Sequence, residues 1–261
     1  MKAVILCGGM GTRIRDASEL LPKPMLPIGD KPIVWHIMKI FASYGIEEFV
    51  LCLGYKGWVI KEFFINYRAM TCDLRVGLGT GELEYLTPGD ERNWQVTLAD
   101  TGLETMTGGR VSKIRKYVEN DDLFLLTYGD GVANVDVKKL VAAHRAHGKL
   151  ATVTAVRPQG RFGELGLEGG AVREFNEKPQ ASAGFINGGF FVCDARRIWD
   201  YVGTEASVTF EREPMQRLAA DNQLMAFEHD GFWQPMDTLR EYTLLNELWS
   251  SGRAPWKTWA V

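Results

Sequence analysis

The sequence has little of what a secreted, membrane-spanning or nucleic-acid-binding chain would carry. Only four cysteines occur in 261 residues (Cys7, Cys52, Cys72 and Cys193), and none forms a CxxC pair. That spacing argues against a disulfide framework or a zinc site and predicts buried free thiols in a reducing compartment. No segment approaches the roughly 20 apolar residues of a membrane span. The first apolar run, Ala3–Cys7, is too short for a signal peptide and leads straight into glycines. A cytoplasmic chain is expected. Basic excess is also missing: 30 Lys and Arg face 33 Asp and Glu, for a net charge of −3. Nucleic acid and anionic membrane are therefore disfavoured as main partners, although local positive charge can still bind a small anion. Histidine is scarce, at four residues. His144 and His147 stand three apart on a predicted helix without an apparent third ligand, so a packed or solvated helix face is expected there.

What is present is an alternation. Lys2–Cys7, Phe49–Leu53, Asp73–Gly77, Gln95–Ala99, Leu123–Thr127 and Ala151–Arg157 read as strands. Pro32–Tyr44, Lys56–Tyr67, Val111–Glu119 and Asp136–Gly148 read as helices between them. The rhythm predicts an α/β fold, a Rossmann-like three-layer α/β/α sandwich around a mixed, mostly parallel sheet. The second half is less regular, with strands at Val172–Asn176 and Phe185–Cys193 and helices at Glu213–Asn222 and Thr238–Trp249. We expect a single domain, whose regular part runs over about 1–135 and whose less regular part runs over about 136–261. Ligands of such sheets bind beyond the carboxyl ends of strands.

The first strand ends in Leu6-Cys7-Gly8-Gly9-Met10-Gly11-Thr12-Arg13. Glycines let backbone N–H groups approach phosphate without side-chain clash, and Thr12 and Arg13 add donors. The run is not a Walker A loop. The dinucleotide fingerprint would need glycine at position 14, which is Ile14, although Asp30 lies near the distance expected of a ribose ligand. A purely structural turn is the other reading. Ten residues after Arg13 comes Lys23, held between Pro22 and Pro24, which discourage helix around it. It is either an oriented cation or a solvated lysine in a stiff loop.

Asp130 follows the strand Leu123–Thr127, in Tyr128-Gly129-Asp130-Gly131. It suits a metal carboxylate at a strand end, or a turn cap. Asp237, just before a helix, suits the same role or an N-cap. Glu177-Lys178-Pro179 could serve one ligand if the chain bends, or form an exposed ion pair. Asn187 could read hydroxyls or satisfy nearby backbone. The turn Thr107-Gly108-Gly109-Arg110 follows a strand and precedes a helix, so its N–H groups could face a ligand.

The combination Gly-Gly-x-Gly-Thr-Arg with Pro-Lys-Pro-Met resembles the signature of the sugar-phosphate nucleotidylyltransferases. Within them, the chain is similar to the branch that transfers cytidylyl groups to glucose 1-phosphate. The narrower match rests on Lys31–Met38, Gly54–Gly57, Asp100–Gly102, Met106–Arg110, Tyr128–Gly131, Gly160–Gly163, Glu177–Pro179, Ile186–Phe191 and Gln234–Thr238, nearly end to end. The resemblance implies CTP and a sugar 1-phosphate as substrates, Mg2+ as cofactor and assembly into a homo-oligomer, and it makes about 1–135 the nucleotide-binding part and about 136–261 the sugar-phosphate-binding part. It also implies CDP-sugar supply for surface polysaccharide such as O-antigen. It assigns catalysis to Arg13, Lys23 and Asp130, and metal to Asp130 and Asp237. Nucleotide contact falls to Leu6, Gly8, Gly9, Gly11, Thr12, Arg13, Thr107, Gly108, Arg110 and Gly129. Sugar phosphate falls to Lys23, Gly163, Glu177, Lys178 and Asn187. Two departures stand out: Ile14–Leu20 fits the family loop poorly, and Cys7 replaces a common alanine. Another base or sugar, or a silent sensing subunit, are the rival expectations.

Overall fold

β1 (Ala3–Leu6) is apolar at every position because both of its faces are covered. In this computed structural model, side chains are described for residues 1–9, 21–158 and 184–259, and the strands at 164–168 and 171–176 by backbone alone. β1 lies between two parallel neighbours, β2 (Glu48–Leu53) and β4 (Leu123–Tyr128), with Ala3 opposite Phe49 and Leu125. Beyond β2 runs β3 (Gln95–Asp100), also parallel. The sheet then turns mixed. β7 (Phe191–Asp194) pairs antiparallel with β4 and with β5 (Ala151–Val156). β6 (Ile186–Asn187) pairs antiparallel with β5, and β8 (Leu224–His229) parallel with it. The expected mostly parallel, mixed sheet is what forms, with eight strands.

Five helices matter for the site: α1 (Ile33–Ala42), α2 (Gly57–Thr71), α3 (Thr107–Lys113), α4 (Val137–His147) and α5 (Leu239–Ser250). Ala3 and Ile5 of β1 pack with residues of α1, α4 and α5, while Val4 and Leu6 pack with Val111 of α3 on the other face. This alternation of β1 makes the three layers. No described helix is long and apolar enough to cross a membrane. All four cysteines are buried and free.

Several expected elements shift. The strand expected at Phe185–Cys193 breaks into β6 and β7. Ala151 and Thr152 face Cys193 and Val192, whereas Ala155 and Val156 face Asn187 and Ile186. Two residues of β5 therefore oppose four, a bulge at 188–191 in which Gly189 and Phe190 take positive φ of 74° and 46°. The strand expected at Asp73–Gly77 exists as Leu74–Val76 and, among the described residues, pairs with Leu83–Tyr85 outside the main sheet. The helix expected at Val111–Glu119 is α3 followed, after Ile114, by a short helix Arg115–Val118. β8 has no counterpart in the sequence reading, because half-exposed edge residues mute its apolar signal.

The C-terminal aromatic residues close over α1. Trp256 is fully buried, and Trp35, Trp249, Trp256 and Trp259 surround the His36 ring with centroids 4.5–6.4 Å away. His36 Nε2 donates to the Ile28 carbonyl at 2.9 Å, and Nδ1 accepts from Trp256 Nε1 at 3.4 Å, so the ring is neutral. Burial lowers its pKa to about 4. His144 is likewise lowered to about 4, by burial and by the neighbouring His147. Its Nδ1 accepts from Thr152 Oγ1, which in turn accepts from His147 Nε2, both at 2.8 Å. The paired histidines are thus a hydrogen-bonded link from α4 to β5.

A histidine whose folded pKa is depressed opposes protonation in the folded state only. Its contribution to stability is complete above the unfolded pKa near 6.5 and is lost as pH falls from there toward 4. For His36 the loss is about 3 kcal/mol at the acid end. Urea denaturation at pH 7.5, 5.5 and 4.5 should show falling stability, and His36→Asn should flatten that dependence.

Candidate active site

The cleft lies at the carboxyl ends of β1, β2, β3 and β4, where open α/β sheets bind ligands. It encloses about 600 Å³, within the range of small-molecule sites. Of the residues expected in the site, Leu6, Gly8, Gly9, Lys23, Thr107, Arg110, Gly129, Asp130 and Asp237 line it. Gly11, Thr12, Arg13, Gly163, Glu177 and Lys178 lie outside the described residues.

Lys23 opens a one-turn 3-10 helix, Lys23–Met25, with Pro22 before it and Pro24 inside it. The prolines turn the chain sharply, and Pro24 packs where Gly129 leaves room. A Cβ at Gly129 would sit 2.9 Å from the Leu6 carbonyl oxygen and 3.1 Å from Pro24 Cγ, so only glycine allows these two loops to close together. The close approach brings Lys23 to Asp130. Its buried Nζ donates to Asp130 Oδ2 at 2.6 Å and to Asp237 Oδ1. Burial alone would lower the lysine pKa, but the charges and hydrogen bonds of the two carboxylates outweigh it and raise it. The ammonium is therefore kept charged.

Asp237 is carried by the strand Trp233–Pro235, which pairs antiparallel with Gly131–Ala133 just after Asp130. The Met236 N–H donates to the Asp130 carbonyl at 2.8 Å, fixing the two acidic segments side by side. The alternative reading of Asp237 as a helix cap belongs to its neighbour. Thr238 caps α5 and, with Glu241, forms a capping box. Glu241 also accepts from the Asp237 N–H at 2.6 Å, which leaves the Asp237 carboxylate to the cleft.

The two carboxylates are hard oxygen donors of the kind magnesium takes, with phosphate and water completing its shell. Among the described residues no group of three or more His, Cys, Asp or Glu could hold a metal by itself. Charge supports the fit. The described ionisable lining is Lys23 and Arg110 against Glu104, Asp130 and Asp237. A divalent cation on the two carboxylates would offset the negative charge that this described part of the wall presents to a polyphosphate.

Arg110 is placed differently from the expectation of a side chain open to ligand. It is buried, and its guanidinium serves the loops after three strands. Nη1 donates to Leu53 O at 3.0 Å, Thr101 Oγ1 at 2.6 Å and Gly102 O at 2.8 Å. Nη2 donates to Gly8 O at 3.0 Å and Leu103 O at 3.2 Å. A Cβ at Gly8 would fall 2.2 Å from Arg110 Cζ, and one at Gly54 would fall 2.6 Å from its Nη atoms. These glycines make room for a guanidinium beneath the loop. The N–H groups of Gly108 and Gly109 are likewise taken, both by the Val208 carbonyl, at 2.9 and 3.2 Å. The expectation that they face a ligand is not met, because the segment 205–210 packs against that turn. Asn187 does not line the cleft, but its Nδ2 donates to Tyr128 Oη at 2.9 Å, next to Asp130. Cys7 is a buried wall residue whose thiol pKa burial pushes well up, so it is inert.

Tyr128 and the segment Leu103–Met106 also line the cleft and were not expected. The rule that ligands lie past strand ends would have found both, since one ends β4 and the other follows β3.

The profile of the nucleotidyl transferase family matches residues 2–247, and the chain belongs to that family. Over 259 residues it is 51% identical to the glucose-1-phosphate cytidylyltransferase of Salmonella typhi, covering 99% of this chain and 100% of that one. It is 44% identical over 259 residues to the probable glucose-1-phosphate cytidylyltransferase of Bacillus subtilis (strain 168), with the same coverage. Among solved structures, HddC from Yersinia pseudotuberculosis complexed with GMP-PN matches with a TM-score of 0.68 at 22% identity. That match covers 95% of this chain and 99% of that one and speaks to the fold alone.

If Arg110 holds the loops together, Arg110→Lys should destabilise the chain by about 2–4 kcal/mol, because several charge-assisted hydrogen bonds to buried carbonyls are lost. Chemical denaturation checks this. Parental stability in that variant would leave Arg110 a ligand contact only.

Proposed function

We propose that this chain is a glucose-1-phosphate cytidylyltransferase, making CDP-glucose and pyrophosphate from CTP and α-D-glucose 1-phosphate. The observation that carries the chemistry is the meeting of Asp130 and Asp237, 107 residues apart in sequence, on one buried lysine beside the glycine loop. The choice of base and sugar is supported by 51% identity over the whole chain to an enzyme of that name.

The phosphate of the sugar attacks the α-phosphorus of CTP, and pyrophosphate leaves. The nucleophile is already an anion and needs no base. The task is to bring two anions together against their repulsion, so positioning and charge neutralisation dominate. We assign Lys23 to the attacking phosphate, together with Lys178, and Arg13 to the departing pyrophosphate. Gly8, Gly9, Gly11 and Thr12 cradle the triphosphate, and Glu177, Asn187 and Gly163 receive the sugar. Asp130 and Asp237 would hold Mg2+, which when bound would supply positive charge to neutralise phosphate oxygens. The Lys23 ammonium balances both carboxylates and holds them side by side.

The reading extends to a cytoplasmic homo-oligomer supplying CDP-glucose for surface polysaccharide such as O-antigen. Assembly is supported by exposed apolar residues on α2 and its neighbouring hairpin, with Trp58 66% and Leu78 95% exposed. Sedimentation of the purified chain as a single copy would reject that assembly.

A pyrophosphate-release assay with magnesium tests the activity, pairing CTP, dTTP, UTP, ATP and GTP with several sugar 1-phosphates. Turnover with CTP and glucose 1-phosphate should exceed every other pair. A better pair would move the assignment to that nucleotide or sugar, and no turnover with any pair would reject it. Asp130→Asn should lower kcat about a hundredfold to a thousandfold while the chain stays folded by circular dichroism. Near-parental turnover at saturating magnesium would remove Asp130 from the site.

A further inference from the structure

Glu211 lies in the segment between the helices Trp199–Val202 and Glu213–Ala220, far in sequence from every residue assigned to the reaction. Its carboxylate joins two residues that line the cleft, Thr107 and Tyr128. Oε2 accepts from Thr107 Oγ1 at 2.6 Å, at the start of α3. Oε1 accepts from Tyr128 Oη at 2.7 Å, two residues before Asp130. We propose that Glu211 is a positioning residue that orients the sugar-phosphate side of the cleft through Tyr128 and Asn187, and the nucleotide side through Thr107. The inference rests on the cytidylyltransferase reading of the site.

Donor and acceptor counting carries the argument. A carboxylate only accepts, and each hydroxyl has one proton. With both hydroxyl protons directed to Glu211, the Tyr128 oxygen is left as an acceptor. Asn187 must then present its Nδ2 to Tyr128, as it does at 2.9 Å, and its Oδ1 accepts from the Gly189 N–H at 2.9 Å. The amide is thereby fixed in one of its two orientations, with a second N–H that no described residue meets. Thr107 is locked in the same way, since its oxygen accepts from the Phe210 N–H at 2.9 Å.

Glutamine at 211 would offer one acceptor and one donor. Either Thr107 or Tyr128 would lose its acceptor. If Tyr128 reversed, Asn187 would have to turn over and lose Gly189.

The test is steady-state kinetics of E211Q, Y128F and the double variant, with CTP and glucose 1-phosphate varied separately and melting temperatures recorded. E211Q should raise KM for glucose 1-phosphate about tenfold, the loss expected of one misdirected hydrogen bond, with a smaller fall in kcat. Y128F should raise the same KM and leave KM for CTP within twofold. The double variant should be no worse than the poorer single by more than twofold, because both changes break one chain of contacts. A merely structural role would lower the melting temperature and the active fraction, hence kcat, without moving KM. If E211Q does not fold, Y128F alone decides, and a parental KM for glucose 1-phosphate overturns the proposal. Additive effects overturn it as well. An active parent whose E211Q variant keeps both KM values rejects this inference alone. A parent inactive with every pair rejects the activity reading, and this inference with it.

Discussion

Two carboxylates brought to one point in a half-buried cleft repel each other, and the Lys23 ammonium is what allows Asp130 and Asp237 to share it. The surroundings are arranged to deliver that cation. Pro22 and Pro24 stiffen its loop, Gly129 removes the one Cβ that would hold the loop away, and the Met236–Asp130 backbone bond sets the second acidic segment against the first. A lysine inserted among apolar side chains would otherwise tend to lose its proton. Here the anions beside it reverse that tendency.

A second charge does comparable work on the backbone. Arg110 gathers carbonyls from the ends of β1, β2 and β3, so the loops that form one wall of the cleft share a single guanidinium. Backbone carbonyls converging in a buried space would repel and remain unsatisfied, and the fixed fork of five donors answers both problems. The glycines at 8 and 54 gain a different meaning from this contact. They accommodate a side chain from below, whatever the glycine loop does above.

The strands and helices of the first half were legible because their apolar periodicity is strong, and the switch to a mixed sheet was legible only as a loss of rhythm. The bulge between β6 and β7 was not, since a continuous apolar run such as Phe185–Cys193 looks the same whether or not it bends. β8 escaped because an edge strand with half-exposed residues carries little pattern. Among site residues, Lys23, Asp130 and Asp237 were marked by their local chemistry of prolines, glycines and strand ends. Glu211 was not, because nothing around it in sequence distinguishes a carboxylate that bridges two hydroxyls from one that faces water.

The sequence by itself determined the layer architecture, the glycine loop, the oriented lysine and the candidate acids, because each depends on neighbours within a few residues. The tertiary structure alone decided which of these meet. It placed Asp237 with Asp130 rather than on the end of α5, turned Arg110 inward to the backbone, closed Gly108 and Gly109 against Val208, and joined Thr107 to Tyr128 through Glu211. Those outcomes depend on charges and hydrogen-bonding groups separated by tens to hundreds of residues, whose partners are chosen only when the sheet brings its strand ends together.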